Sequence, residues 1–149
     1  MTRPKEQRGK KVGFTAGAFD LMHVGHVRMF KDCKNVCDYF IVGVQSDPTL
    51  DRPDKNKPIL SLEERVELVS SLKWVDKVIT YNTEADLIRL MERIKPDIRI
   101  LGSDWEGRNF TGHSMPIKVY FHDRNHAYST TNLRRRVYEA EWKRLNGKF

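Results

Sequence analysis

Apolar residues come in short blocks along the chain, and their spacing changes from block to block. Val12 to Ala16 is a short apolar run, and "YFIVGV" at 39–44 is continuous, the pattern of strands covered on both faces. Between them Val27, Phe30, Cys33 and Cys37 recur at three- and four-residue intervals, which predicts a helix over 24–37. Ser61 followed by Glu64 is a capping box, and Leu62, Val66, Val69 and Leu72 give the helix it opens one apolar face. "VDKVITY" at 75–81 reads as a third strand. Thr83 and Asp86 start another helix, with Leu87, Leu90, Met91 and Ile94 on one side and Pro96 just past its end. "DIRILG" (97–102) and "IKVYFH" (117–122) supply two more strands, and a last helix runs from Ser129 to Leu145.

Five strands separated mostly by helices predict an open, parallel, Rossmann-like α/β sheet with helices on both faces. Ligands of such sheets bind at the carboxyl ends of the strands. The exit segments here are 17–26, 45–60, 102–115 and 123–130, and they hold most of the polar residues of interest. With 149 residues, 39% of them hydrophobic, the chain has material for one well-buried core. A basic leader over 1–11 and a single domain over 12–149 are the expected organisation.

Charge changes the picture only by its location. Of the net charge of +7, residues 1–11 bring five basic and one acidic side chain, and residues 124–149 seven basic and two acidic, so the remainder is slightly negative. Cations confined to the two ends do not describe a nucleic-acid groove. The leader reads as a solvated tail, and Arg134 to Arg136 as a solvated helix face. No run of apolar residues is long enough for a membrane span and no signal-like segment is present, so a cytoplasmic protein is expected.

The chemistry concentrates in "GAFDLMHVGH", residues 17–26. His23 and His26 are three apart at a predicted helix start, which puts both rings on one side, while Gly25 lets a ligand approach the backbone. Unpaired N–H groups at a helix start attract anions, and two imidazoles beside them suit phosphate oxygens. Asp20 is placed to orient a histidine or hold a cation. Core-satisfied rings and half of a zinc site are the alternatives these residues leave open. Cys33 and Cys37, without further metal-spaced ligands, read as buried thiols. GxGxxG and GxSxG are both absent, which argues against dinucleotide hydride transfer and against a serine nucleophile.

"GAFDLMHVGH" together with "STTN" at 129–132 resembles the signature pair of the HxGH nucleotidyltransferase superfamily. "GSDWEG" at 102–107 resembles, more narrowly, the glycerol-3-phosphate cytidylyltransferases. The likeness runs from Val12 to Val137. It implies a homodimeric transferase that joins CTP to glycerol 3-phosphate, or a similar polyol phosphate, and releases pyrophosphate with Mg²⁺ brought by the CTP. "STTN" and Ala18 suggest the alternative, an adenylyltransferase acting on a sugar phosphate such as heptose phosphate.

The resemblance places His23 and His26 on the triphosphate, with Lys55 or Lys57 and Arg124 as further catalytic cations. It implies a nucleotide site built from Gly17, Ala18, Phe19, Asp20 and Gly25, from Arg65, from Gly102, Asp104, Trp105 and Gly107, and from Ser129, Thr130 and Thr131. No metal ligands are assigned. Two departures stand out: Ala18 replaces the threonine of the glycerol-phosphate enzymes, and Ala127 replaces the glycine before "STT". Trp105 between its two glycines suggests a pyrimidine pocket, so CTP is expected ahead of ATP.

Overall fold

The computed structural model describes residues 3–147. The five runs read as strands, β1 (Val12–Gly17), β2 (Tyr39–Gln45), β3 (Lys77–Tyr81), β4 (Ile98–Gly102) and β5 (Lys118–His122), form one sheet in the order β3-β2-β1-β4-β5. Every neighbouring pair is parallel. The chain winds outward from β1 to β3, then crosses back to lay β4 on the other side of β1. That reversal leaves a crevice at the carboxyl ends of β1 and β4, where open parallel sheets hold their ligands.

Helices α1 (Val24–Val36) and α2 (Leu62–Ser70) follow β1 and β2, and α3 (Glu84–Ile94) follows β3. Phe30, Phe40, Val42, Val44, Val69, Ile98 and Ile100 form the core under α1 and α2. Val12, Phe14, Ile41, Leu87, Leu90 and Met91 form the core under α3. The capping boxes at Ser61 and Thr83 are both made, each with its side chain accepting from the backbone three residues on. The expected strand at 75–81 begins only at Lys77, because Trp74 and Val75 belong to the turn that packs on the first core. Between β4 and β5 lie a short turn at Ser103–Trp105 and irregular backbone rather than a helix.

Strand alternation decides what the crevice receives from β4. Ile98 and Ile100 point into the first core, which sends Arg99 and Leu101 to the α3 side. Helix α4 (Thr130–Leu145) has no buried residue and touches the crevice through its first turns.

The solvated-leader expectation needs correction at two residues. Both oxygens of Asp97 accept from Arg3, at 2.8 and 3.0 Å, and one also accepts from the Val12 N–H at 2.8 Å. Gln7 is buried, in a short turn over Lys5–Gln7. The segment is therefore fastened to the amino end of the sheet. Cys33 and Cys37 are free, buried thiols, and burial pushes Cys37 up to about 11.

Candidate active site

The exit from β1 is a tight, strained turn. Phe19 and Leu21 both take left-handed backbone conformations, with φ of 51° and 50°, although neither is glycine. Packing holds this turn: the Phe19 ring lies 5.2 Å from that of Phe30 and 5.6 Å from that of His26. Asp20 is its anchor. Its carboxylate accepts from the backbone N–H groups of Ile59 and Leu60 at 2.8 and 2.9 Å, and its carbonyl accepts from the Thr130 hydroxyl at 3.2 Å. The carboxylate ties the 45–60 segment to β1, which corrects the expectation that it orients a histidine or holds a cation.

The two histidines are locked by the start of α1. His23 is the N-cap: its Nδ1 accepts from the Gly25 N–H at 3.0 Å, while Nδ1 of His26 accepts from the His23 N–H at 3.2 Å. The rings stack at 3.9 Å. With each Nδ1 accepting, the proton of each neutral ring is on Nε2, so the pair presents two N–H donors. Gly25 makes this possible by its small size: a Cβ there would stand 2.8 Å from Cε1 of His23 and 3.2 Å from Cε1 of His126. The glycine thus makes room for the rings, and it also lines a cavity at this end of the sheet.

Burial, followed by the charge on His23 and then Arg124, pushes His26 down to about 3, against a weaker pull from Asp20. Burial and Arg124 also lower His23. In the free protein the pair is neutral at physiological pH and works as donors rather than as cations. A stability consequence follows. The unfolded chain takes up a proton on His26 near pH 6.5 and the folded chain only near 3. Stability from this group is present above about 6.5 and is lost as pH falls through that window, by up to about 1.4 kcal/mol per pH unit. Urea unfolding from pH 7 to 5 should show the decline, and His26→Gln should flatten it.

Two cavities meet at this end of the sheet. The smaller, ≈ 280 Å³, lies on the α1 side and is lined by His23, Gly25, His26, Gly102, Asp104, Arg124 and Ser129. The larger, ≈ 350 Å³, lies on the α3 side and takes in Gly17, Ala18, Asp20 and Lys55. Ala16, Phe19, Leu101, Trp105, Thr130 and Thr131 border both and form the seam between them. Ser129 caps α4 by accepting from the Asn132 N–H at 3.0 Å, so the positive end of that helix faces the seam. Arg124 pairs with Asp104 at 3.4 Å and donates to the Tyr128 carbonyl at 3.2 Å. Gly102 lets both approach, since a Cβ there would fall 2.5 Å from Asp104 and 2.8 Å from Arg124.

Three residues proposed from the sequence lie outside both cavities. Lys57 is exposed and pairs with Asp47 at 3.6 Å. Gly107 occupies an exposed turn at φ +79°. Arg65 is 2% exposed and gives its N–H groups to the carbonyls of Ala18, Gln45, Ser46 and Leu60. Four of its five N–H donors go to the backbone of the strand-exit loops, which makes it a brace rather than a nucleotide ligand.

Other residues enter unannounced. Nδ1 of His122 is 2.8 Å from Asp32, whose carboxylate also accepts from the Tyr120 hydroxyl at 2.9 Å, and His122 lines the smaller cavity. Burial pushes the Asp32 carboxyl up, but bonds from His122, Tyr120 and Asn35 outweigh it and hold it below the usual range. His126 lines the same cavity, its Nδ1 accepting from the Tyr128 N–H at 3.2 Å. Arg134 is half-buried and lines the larger cavity, so the solvated-face expectation fails at that position. Its place could have been found from helix spacing, four residues after Thr130.

Among the described residues no group of three His, Cys, Asp or Glu converges as metal ligands do. With Asp20 committed to two N–H groups, the side chains do not fit a resident Mg²⁺.

Residues 14–136 match the family described as cytidylyltransferase-like. The chain belongs to that family. It is 34% identical over 137 residues to the bifunctional protein HldE of Campylobacter concisus, covering 91% of this chain and 29% of that protein. It is also 34% identical over 140 residues to HldE of Nitratiruptor sp., covering 92% and 30% respectively. The chain thus spans under a third of the length of these curated relatives. A lipopolysaccharide core biosynthesis protein from Thermoplasma volcanium is similar in structure at a TM-score of 0.63 and 30% identity, over 81% of this chain and all of that one. Pantothenate synthetase from Thermus thermophilus shares the fold, at a TM-score of 0.62 and 13% identity over 83% of this chain and 61% of that one. The narrower resemblance to glycerol-3-phosphate cytidylyltransferases is overturned by a set of eight curated relatives at 30–34% identity, each of them an HldE protein. Of "GSDWEG" only Gly102, Asp104 and Trp105 line the two cavities, while Ser103, Glu106 and Gly107 line neither. Among the described residues no helix is long and apolar enough to cross a membrane.

Proposed function

We propose that this chain is a nucleotidyltransferase that moves an adenylyl group from ATP to the phosphate of a phosphorylated sugar, heptose phosphate being representative. One observation carries the transfer chemistry: a locked pair of imidazole N–H donors lies beside a helix start, at a seam with a second, cation-lined cavity. ATP belongs in the smaller cavity with its phosphates toward His23, His26 and the first turn of α4. The acceptor belongs in the larger one, its phosphate at the seam. An acceptor phosphate oxygen attacks the α-phosphorus in line, a new P–O–P bond forms, and the bond to the bridging α,β-oxygen breaks to release pyrophosphate.

The side chains do what such a displacement requires, which is alignment and stabilisation of charge on the equatorial and leaving oxygens. His23 and His26 donate from Nε2, Arg124 adds a cation at one end, and Lys55 and Arg134 hold the incoming phosphate at the other. No side chain has to become a covalent intermediate. The preference for ATP and a sugar phosphate over CTP and glycerol 3-phosphate is supported by the HldE relatives. The homodimer remains part of this reading, supported by Tyr138, Trp142 and Leu145, which are exposed at i, i+4 and i+7 along α4.

The test is pyrophosphate release from ATP and from CTP, each with heptose 1-phosphate and with glycerol 3-phosphate. ATP with the sugar phosphate should give the highest kcat/KM of the four. A lead for CTP with glycerol 3-phosphate would reverse the base and acceptor assignments together.

A further inference from the structure

The larger cavity holds more positive charge than one acceptor phosphate requires. Four cationic side chains line it, Arg52, Lys55, Arg99 and Arg134, against two carboxylates, Asp20 and Glu84. Both oxygens of Asp20 are occupied by backbone N–H groups, and Glu84 pairs with Arg52 at 3.3 Å. Among the described residues no carboxylate lies in ion-pair contact with Lys55, Arg99 or Arg134. Lys55 and Arg134, on the 45–60 segment and one turn beyond Thr130, are accounted for by the reacting phosphate.

Arg99 is not. It is 4% exposed, is the second residue of β4, on the strand's α3 side, and lines only the larger cavity. Its guanidinium donates to the Thr111 carbonyl and lies 5.1 Å from the centre of the Phe110 ring, while its Nε is buried with no partner. Leu101 borders the seam and Arg99 precedes it by two residues, about 6–7 Å of strand, so the guanidinium with Phe110 and Thr111 is set back from the place of transfer. Burial lowers Arg99 only to about 10, so it is charged at neutral pH. Glu84 attracts the guanidinium without reaching ion-pair contact. A buried guanidinium with no carboxylate in contact is costly, and an anionic ligand group beside it offsets that cost. Tyr81, also buried, lines the same cavity.

We propose that Arg99 is a specificity residue for a second anionic substituent, so that the acceptor is a sugar phosphate carrying a further phosphate or carboxylate at the end remote from the reacting group. This rests on assigning the larger cavity to the acceptor.

Matched ligands test it by binding, independently of turnover. Isothermal titration with α,β-methylene-ATP present should give glucose 1,6-bisphosphate at least about tenfold higher affinity than glucose 1-phosphate, the size of one charge-assisted contact. Glucuronic acid 1-phosphate should likewise exceed glucose 1-phosphate. Arg99→Gln should bring both ratios toward one, and Arg99→Lys should keep part of each preference. Equal affinities in the unmodified protein, or no binding of any of the three, overturns the proposal, and needs no variant that folds. A preference that survives Arg99→Gln in a protein with unchanged circular dichroism overturns the role of Arg99. Failure of the transferase reading has a different signature: selective binding of the doubly charged ligands without pyrophosphate release from any nucleotide and acceptor pair.

Discussion

Replacing His26 with alanine is expected to lower kcat/KM by about 10²- to 10³-fold, the usual cost of removing a donor aimed at charge that develops in a transition state. The ring is half-buried and neutral, so it acts through one N–H rather than through a charge that solvent could replace. His23→Ala should cost as much in rate and something in stability besides, because His23 is also the N-cap of α1. Losing a cap is worth about 1 kcal/mol. The two effects separate in the measurement: kcat/KM from pyrophosphate release should collapse in both variants, whereas the urea midpoint should drop further for His23→Ala. Because the rings stack and each Nδ1 is tied to the same first turn, the double variant should be scarcely worse than either single one. Near-normal rates in both single variants would remove the histidines from the reaction.

Sequence pattern carried the strands and helices because burial on both faces of a parallel sheet writes itself into unbroken apolar runs. β2 is buried at all seven positions and was plain as "YFIVGV". The histidine pair was equally visible, since a three-residue spacing at a helix start fixes which side the rings share. The state of the rings was hidden, however, because their neutrality depends on burial and on which nitrogen the backbone occupies. Arg99 was hidden for a related reason. Within "DIRILG" it reads as one polar residue in a strand, and only the crossover that places β4 beside β1 turns it toward a cavity. The Asp32, Tyr120 and His122 cluster spans 90 residues of sequence and exists only through the pairing of α1 with β5. "GSDWEG" misled in the opposite direction, because a loop motif resembles its family without reporting what the base beside it must be.

Arg65 shows the same limit most sharply, and its replacement has the largest expected effect on stability. The family resemblance put it in the nucleotide site, but the side chain is inside the protein. Nε donates to Leu60 at 3.1 Å, Nη1 to Ala18 and Gln45 at 3.0 and 2.5 Å, and Nη2 to Ser46 at 2.6 Å. One planar group thereby joins the exit of β1, the exit of β2 and the entry to α2. Arg65→Met keeps much of the volume and removes every one of those donors, leaving four carbonyls to be satisfied where water has little access. The expected loss is about 3–5 kcal/mol, a substantial part of the 5–15 kcal/mol that holds a domain of this kind together. Arg65→Lys should recover little of it, because a single ammonium cannot reproduce a fork that reaches three segments. Urea unfolding measures the loss directly, and ATP affinity in the fraction that remains folded measures the other possibility. A variant with normal stability and weakened ATP binding would return Arg65 to the nucleotide site; a destabilised one whose folded fraction binds ATP normally places it where its hydrogen bonds are, beneath the loops that carry the chemistry.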